Sequence, residues 1–153
     1  MPSDSTVFVD TNVLLYSRDP RRADKQAQAA AWLRACWERQ VGRISSQVMH
    51  EFYANLRRLA PSLTAEEQRS VVREYRAWTP WPVEDDTVDL AWTLQDRYTL
   101  SYWDALMVAA AIEQGCRYLL TEDLQHAQHL DSVQVLNPFV VGPEVLDAPD
   151  TVA

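Results

Sequence analysis

Short, unbroken apolar runs alternate along this chain with longer stretches of helical periodicity. Residues 6–9, Thr-Val-Phe-Val, are β-branched or aromatic with no polar alternation, as in a strand buried on both faces. Residues 22–37 predict a helix with Ala23, Ala27, Ala30 and Ala31 on one face and Trp32, Leu33, Cys36 and Trp37 behind it. Residues 41–45 predict a second short strand. Ser46 is placed to cap a helix that runs to about residue 59, with Pro61 as its stop. Thr64-x-x-Glu67 is a capping box that opens a helix reaching about residue 78. Pro80 and Pro82 keep residues 78–83 out of any helix interior and make them an extended piece suited to a sheet edge. Residues 85–98 are helical, with Val88, Ala91, Trp92 and Gln95 recurring at i, i+3, i+4 and i+7. Residues 101–114 form the next helix, which Gly115 ends. Residues 117–121 and 133–136 are strands, and the acidic, proline-containing stretch from 144 onward is expected to be a loose tail.

Continuous apolar strands alternating with helices indicate an α/β fold: a three-layer sandwich with a mostly parallel central sheet flanked by helices. The 153 residues suit one domain, expected over 1–143, with the tail at 144–153. No repeat, low-complexity segment or linker interrupts it. No apolar stretch approaches the ~20 residues of a membrane span. Met1-Pro2-Ser3-Asp4-Ser5 lacks the flank and core of a signal peptide, so the expected location is the cytoplasm. Cys36 and Cys116 sit in helical or apolar sequence and are expected as buried thiols.

The net charge of −8 argues against a protein that coats nucleic acid at large. It leaves room for a nuclease, whose acids are neutralised by metal and whose backbone contacts need only a local basic strip. Lys25 is the only lysine; arginine, the better bidentate partner for phosphate, carries the rest of the positive charge.

Four acids stand where strands stop or helices start. Asp10 ends the run Val7-Phe8-Val9; Glu51 lies early in the helix after Ser46; Asp104 opens the helix after Ser101; Asp123 follows Leu119-Leu120-Thr121. Carboxylates are seldom set against apolar sequence unless they are paired or hold a metal. If they converge, their hard oxygens suit Mg²⁺ or Mn²⁺. Each has a plainer use as well. Asp104 could complete a capping box with Ser101, Asp123 could cap a short helix over 124–128, and Glu51 could be a solvated helix residue. Asp10, at the end of a buried strand, is the hardest to account for that way.

The blocks Phe8-Val9-Asp10-Thr11-Asn12-Val13-Leu14-Leu15-Tyr16, Ser45-Ser46-Gln47-Val48-Met49-His50-Glu51-Phe52, Ser101-Tyr102-Trp103-Asp104-Ala105-Leu106 and Leu120-Thr121-Glu122-Asp123-Leu124 occur in that order over nearly the whole chain. In this the sequence resembles the PIN-domain family, and within it the VapC-type toxin ribonucleases of type II toxin–antitoxin pairs. The resemblance implies a parallel sheet flanked by helices, a carboxylate cluster of Asp10, Glu51, Asp104 and Asp123 binding Mg²⁺ or Mn²⁺, and endonucleolytic cleavage of RNA. It also implies a cognate antitoxin that blocks the site, and a homodimer.

The chemistry agrees with that resemblance. Clustered carboxylates repel and raise one another's pKa values, and a divalent cation relieves the penalty. The cation also acidifies a bound water, orients it for in-line attack on phosphorus and stabilises the leaving oxygen. Asp10 and Asp104 are the expected principal ligands, Asp123 completes the site, and Glu51 binds a second metal or orients the water. Thr11, Asn12 and Ser46 are candidates to fix the carboxylates by hydrogen bonds. Arg18, Arg21, Arg22 and Trp103 are candidate RNA contacts, and Arg57-Arg58 a weaker one. His126-x-x-His129 fits a surface position better than a metal pair, and His50 is a minor option as a base. Two other functions compete. A phosphatase of the haloacid-dehalogenase type needs a second acid where Asn12 stands; a non-catalytic PIN-like module would bind RNA or a partner without cutting.

Overall fold

The computed structural model describes residues 5–148 and 152. Its elements run β1 (Val7–Val9), α1 (Thr11–Tyr16), α2 (Ala23–Arg39), β2 (Gly42–Arg43), α3 (Ser46–Leu59), α4 (Ala65–Glu74), α5 (Asp85–Tyr98), α6 (Tyr102–Glu113), β3 (Tyr118–Leu120), β4 (His129–Leu130) and β5 (Val133–Leu136). Short 3-10 turns add Pro20–Arg22, Tyr75–Trp78 and Pro143–Asp147. The five strands order as β2-β1-β3-β5-β4. β1 is parallel to β2 and β3, and β3 to β5; only β4 is antiparallel, folded back on β5. The expected α/β architecture, a mostly parallel sheet flanked by helices, is the one observed. Every residue of β1, β3 and β5 is buried, which is why those segments carry no polar alternation.

Register decides where the chemistry falls. Val7 stands opposite Tyr118, Phe8 opposite Leu119 and Val9 opposite Leu120. One step further along, the Asp10 N–H donates to Leu120 O at 3.1 Å, so Asp10 and Thr121 leave the sheet side by side. Both lie at the carboxyl ends of central strands, where open parallel sheets place their sites.

Several local expectations change. Ser45, not Ser46, caps α3: its Oγ accepts from the Val48 N–H at 3.3 Å. Ser46 is already helical, and its Oγ accepts from the Val83 N–H at 3.1 Å, tying the proline-rich segment to α3. That segment contributes one parallel bridge, Ser45 with Trp81, and the Trp81 indole N–H donates to Glu113 on α6 at 2.9 Å. The helix opened by the Thr64 capping box stops at Glu74, and Tyr75–Trp78 continues it as a 3-10 turn. On α5, Thr87, Ala91 and Leu94 are buried, whereas Trp92 is 55 % exposed. Small residues let α5 lie close on α6, and the bulk of Trp92 is turned out. Residues 124–128 form no helix, and α1 and β4 were not anticipated. The tail is docked, not loose, as far as residue 148. Val145 and Leu146 are buried, and Asp147 pairs with Arg39 at 2.7 Å. Residues 149–151 and 153 lie outside the described residues. Cys36 and Cys116 are free and buried. Among the described residues no helix is long and apolar enough to cross a membrane.

The sheet edge at β2 is closed by an aromatic cluster of Trp37, Tyr75 and Trp78, with ring centroids 4.9 to 5.3 Å apart. A Cβ on Gly42 would stand 2.5 Å from the Trp78 ring, so the strand approaches that ring only because Gly42 has no side chain. Gly115 differs: its φ of +71° is the left-handed stop of α6, with open space around it. Gly42→Ala should therefore cost up to about 3 kcal/mol by overpacking, and Gly115→Ala about 1 kcal/mol from backbone strain alone. Urea denaturation of both variants checks the order; Gly42→Ala at wild-type stability would contradict this account of the edge.

Candidate active site

A cleft of about 190 Å³ opens at the carboxyl edge of the sheet, and Asp10, Glu51, Asp104 and Asp123 all line it. They come from four places: the N-cap of α1, the second turn of α3, the first turn of α6 and the loop after β3. Ser101 caps α6, its Oγ accepting from the Asp104 N–H at 3.2 Å, so the capping role foreseen there coexists with a carboxylate in the cleft. Asp123 caps no helix; its N–H donates to Thr121 Oγ1 at 3.1 Å.

The hydrogen bonds around the acids are specific. Asp10 Oδ2 accepts from the Thr121 hydroxyl at 2.8 Å, and Oδ1 accepts from the Asn12 N–H at 3.4 Å as the cap of α1. Glu51 Oε1 accepts from the Thr11 hydroxyl at 2.8 Å. Asp123 Oδ2 accepts from the Asn12 amide at 3.4 Å. Thr11 and Asn12 thus touch the carboxylates as anticipated, whereas Ser46 serves the fold. Thr121 was missed. The signal was there: once β1 and β3 are taken as parallel neighbours, the residue after Leu120 must meet Asp10. Gln47 and Asn55 also line the cleft without having been foreseen as part of it, and Arg58, a weaker candidate RNA contact, lines it too. They lie on one face of α3 with Glu51, at the i, i+4, i+8 and i+11 positions from Gln47.

Asp10 is 3 % exposed. Burial is the main reason its pKa is pushed up to about 7, and the charges of Asp123 and Asp104 push the same way. The Thr121 and Asn12 hydrogen bonds act against this without cancelling it. Burial also raises the Asp104 pKa, with the Asp123 charge adding to it. The mutual repulsion expected of a carboxylate cluster is therefore present. Among the described residues, no three His, Cys, Asp or Glu side chains close on one point as a ready-made metal cage. The donor set is all oxygen and anionic, which fits Mg²⁺ or Mn²⁺ and does not suit a softer metal.

Glu122, the neighbour of Asp123, faces the other way. It accepts from Lys25 Nζ and from the Tyr16 hydroxyl, each at 2.7 Å. Burial would raise its pKa, but these two donors hold it below the usual range. Arg21 is committed to Asp19 at 3.0 Å, and Arg22 lies over the Tyr16 ring. Neither Arg18, Arg21 nor Arg22 lines the cleft, whereas Trp103 does and is 62 % exposed. His126 accepts from the Asn137 N–H through Nδ1 at 3.0 Å, a structural role, and His129 is exposed on β4.

The family model described as "PIN domain" matches residues 7–130. The chain belongs to the PIN-domain family. No curated protein matches it. A solved structure described as "Toxin-antitoxin complex from Klebsiella pneumoniae" contains a chain that superposes with a TM-score of 0.60 at 20 % identity, over 88 % of this chain and 98 % of that one. At that identity the likeness shows a shared fold. Family membership leaves no place for the haloacid-dehalogenase alternative.

The electrostatics make a test. A carboxyl whose folded pKa lies above its unfolded value holds a proton in the folded state that the unfolded chain has released. Its stability contribution is full below pH 3.8 and is lost as pH rises towards about 7. Each tenfold change in proton affinity is about 1.4 kcal/mol, so the loss amounts to a few kcal/mol. In chelator-treated protein, Asp10→Asn should therefore raise the melting temperature at pH 8 and leave it nearly unchanged at pH 4. Thermal melts across that range check it; a variant less stable than wild type at pH 8 would show that the buried charge is not the strain it is taken to be.

Proposed function

We propose that this protein is a metal-dependent endoribonuclease and the toxin of a type II toxin–antitoxin pair. The observation that carries the reading is the cleft itself: four carboxylates from distant parts of the chain line it, and one of them is buried and crowded enough to retain a proton near neutrality. A fold does not keep such a group without a use for it, because the uncompensated charge costs stability. PIN-domain membership and the likeness to a chain of a toxin–antitoxin complex support the same reading.

Asp10, Asp104 and Asp123 would hold Mg²⁺ or Mn²⁺. The bound ion supplies an acidified water and neutralises charge at the scissile phosphate. Asp10 would be the fixed ligand, since Thr121 and the N-terminus of α1 set its orientation before any ion arrives. Asn12 would position Asp123 through its amide. Glu51, tethered by Thr11, would take the proton of the attacking water or hold a second ion. No nucleophilic side chain is needed. The partners that go with this reading are RNA, a cognate antitoxin that covers the carboxylates, and a second copy of the chain; the location is the cytoplasm.

Purified protein should cut RNA at discrete positions with Mg²⁺ or Mn²⁺ and not with excess chelator. Asp104→Asn should lower kcat by about a hundredfold or more, since a ligand of the cation is removed. Mapping new 5′ ends in total RNA from cells expressing wild type or Asp104→Asn would give the sites. Ends that are equally abundant with both proteins would defeat the nuclease reading and favour a module that binds without cutting.

A further inference from the structure

α3 borders three depressions in succession. The first is the acidic cleft. The second is an apolar pocket of about 420 Å³ lined by Ser46, Gln47, His50, Val83, Trp103 and Leu106, which shares Gln47, Glu51 and Trp103 with the cleft. The third is a groove of about 320 Å³ between α3 and α4, which shares His50 with the pocket and is lined by Tyr53, Arg69, Arg73 and Arg76. Neighbouring depressions share lining residues, so the three lie in a row along α3.

Each stretch has its own chemistry. In the pocket, Trp103 is 62 % exposed, a large aromatic face left in water beside the carboxylates. Its backbone carbonyl accepts from Gln47 Nε2 at 3.3 Å. That bond turns Gln47 Oε1 inward, where it is buried with no hydrogen-bond partner. In the groove, Arg69, Arg73 and Arg76 follow one another at i, i+4 and i+7, so one face of α4 and its 3-10 extension is basic. Arg69 is hydrogen-bonded to Tyr53, itself 42 % exposed. Arg73 has a partner in Glu66 at 3.0 Å, but both are exposed, and such a pair is easily exchanged for a phosphate. On a chain of net charge −8 this is a local basic strip.

We infer that this row of depressions is the track of single-stranded RNA, with a base stacked on Trp103 and the adjoining phosphates crossing Arg69, Arg73 and Arg76. A flat, exposed aromatic and spaced guanidiniums match the stacked base and the backbone of an unpaired strand. An acidic peptide would use the arginines but not the pocket. The track replaces Arg18, Arg21 and Arg22 as the phosphate contacts. It rests on the nuclease reading only in placing the scissile phosphate at the carboxylates.

The test is steady-state cleavage of a short single-stranded RNA by wild type, R69Q/R73Q/R76Q, Trp103→Ala and, for comparison, R18Q/R21Q/R22Q. All these side chains are exposed, so folding is not at stake. The α4 variant should raise KM at least tenfold with kcat within twofold, and the salt dependence of log KM should flatten by about 2 for three lost phosphate contacts. Trp103→Ala should raise KM by roughly 5- to 100-fold. The comparison variant should stay within twofold. Cleavage by wild type with KM unchanged in both the α4 and Trp103 variants would overturn the track and leave the nuclease standing. If wild type cuts no RNA, fluorescence anisotropy of the same labelled RNA decides. Binding weakened by both variants upholds the track without the nuclease; no binding, or tighter binding of an acidic peptide, overturns it.

Discussion

The hydrogen bond from the Thr121 hydroxyl to Asp10 holds a carboxylate at the end of the central strand pair, almost out of water. Much of the structure can be understood as what is needed to keep it there. β1 and β3 are three-residue strands buried on both faces, and their parallel register leaves Asp10 and Thr121 no other neighbour. α1 begins at the next residue, and its Asn12 N–H donates to the same carboxylate. The charge is thus oriented by two donors but not neutralised, and its pKa rises to about 7. An apolar residue would be more stable in that position. On the proposed function, the site is prepared for a cation at the expense of the metal-free fold.

The other three acids come to Asp10 by separate routes, each with its own local reason. Asp104 lies in the first turn of α6, where the helix end favours a negative charge and Ser101 sets the start. Glu51 sits a turn and a half into α3 and is caught by Thr11 from across the cleft. Asp123 follows β3 on a loop held by Thr121 and Asn12. Thr121 therefore serves two acids at once: its hydroxyl donates to Asp10 and accepts from the Asp123 backbone. Thr11 reaches Glu51, and Asn12 reaches Asp123 through its amide. Three small polar residues next to strand ends do the positioning, and all the long side chains of the cleft belong to α3 and α6.

Sequence patterning anticipated the buried parallel strands and most helices because both leave local signals: β1, β3 and β5 as unbroken apolar runs, α5 as a repeat, α6 by its glycine stop. It failed where a signal is shared between two residues or absent. Ser45 and Ser46 are both competent caps, and only the backbone of α3 distinguishes them. Trp92 has the right spacing for the core, but the close approach of α5 to α6 has no room for an indole. β4 is two residues long and exists only as a partner for β5. Pro143–Asp147 looked like a tail because its proline and acids are conspicuous, while Val145 and Leu146, which bury it, are few. At the site, the four acids were legible one by one from their positions at element ends. Their convergence came from the resemblance, and their hydrogen-bond partners needed the register. The basic strip on α4 escaped because Arg69, Arg73 and Arg76 are separated by Ser70, Val71, Val72, Glu74 and Tyr75, and because the arginines close behind β1 drew notice instead.

The central claim is that Asp10 is the fixed ligand of a cation site and gives up a proton when the cation arrives. Calorimetric titration with Mn²⁺ near pH 6.5, repeated in buffers of different ionisation enthalpy, measures binding and proton release together. Release of close to one proton per ion by wild type, with binding abolished in Asp10→Asn, is the predicted result. Equal binding by the variant, with no proton released by either protein, would contradict it.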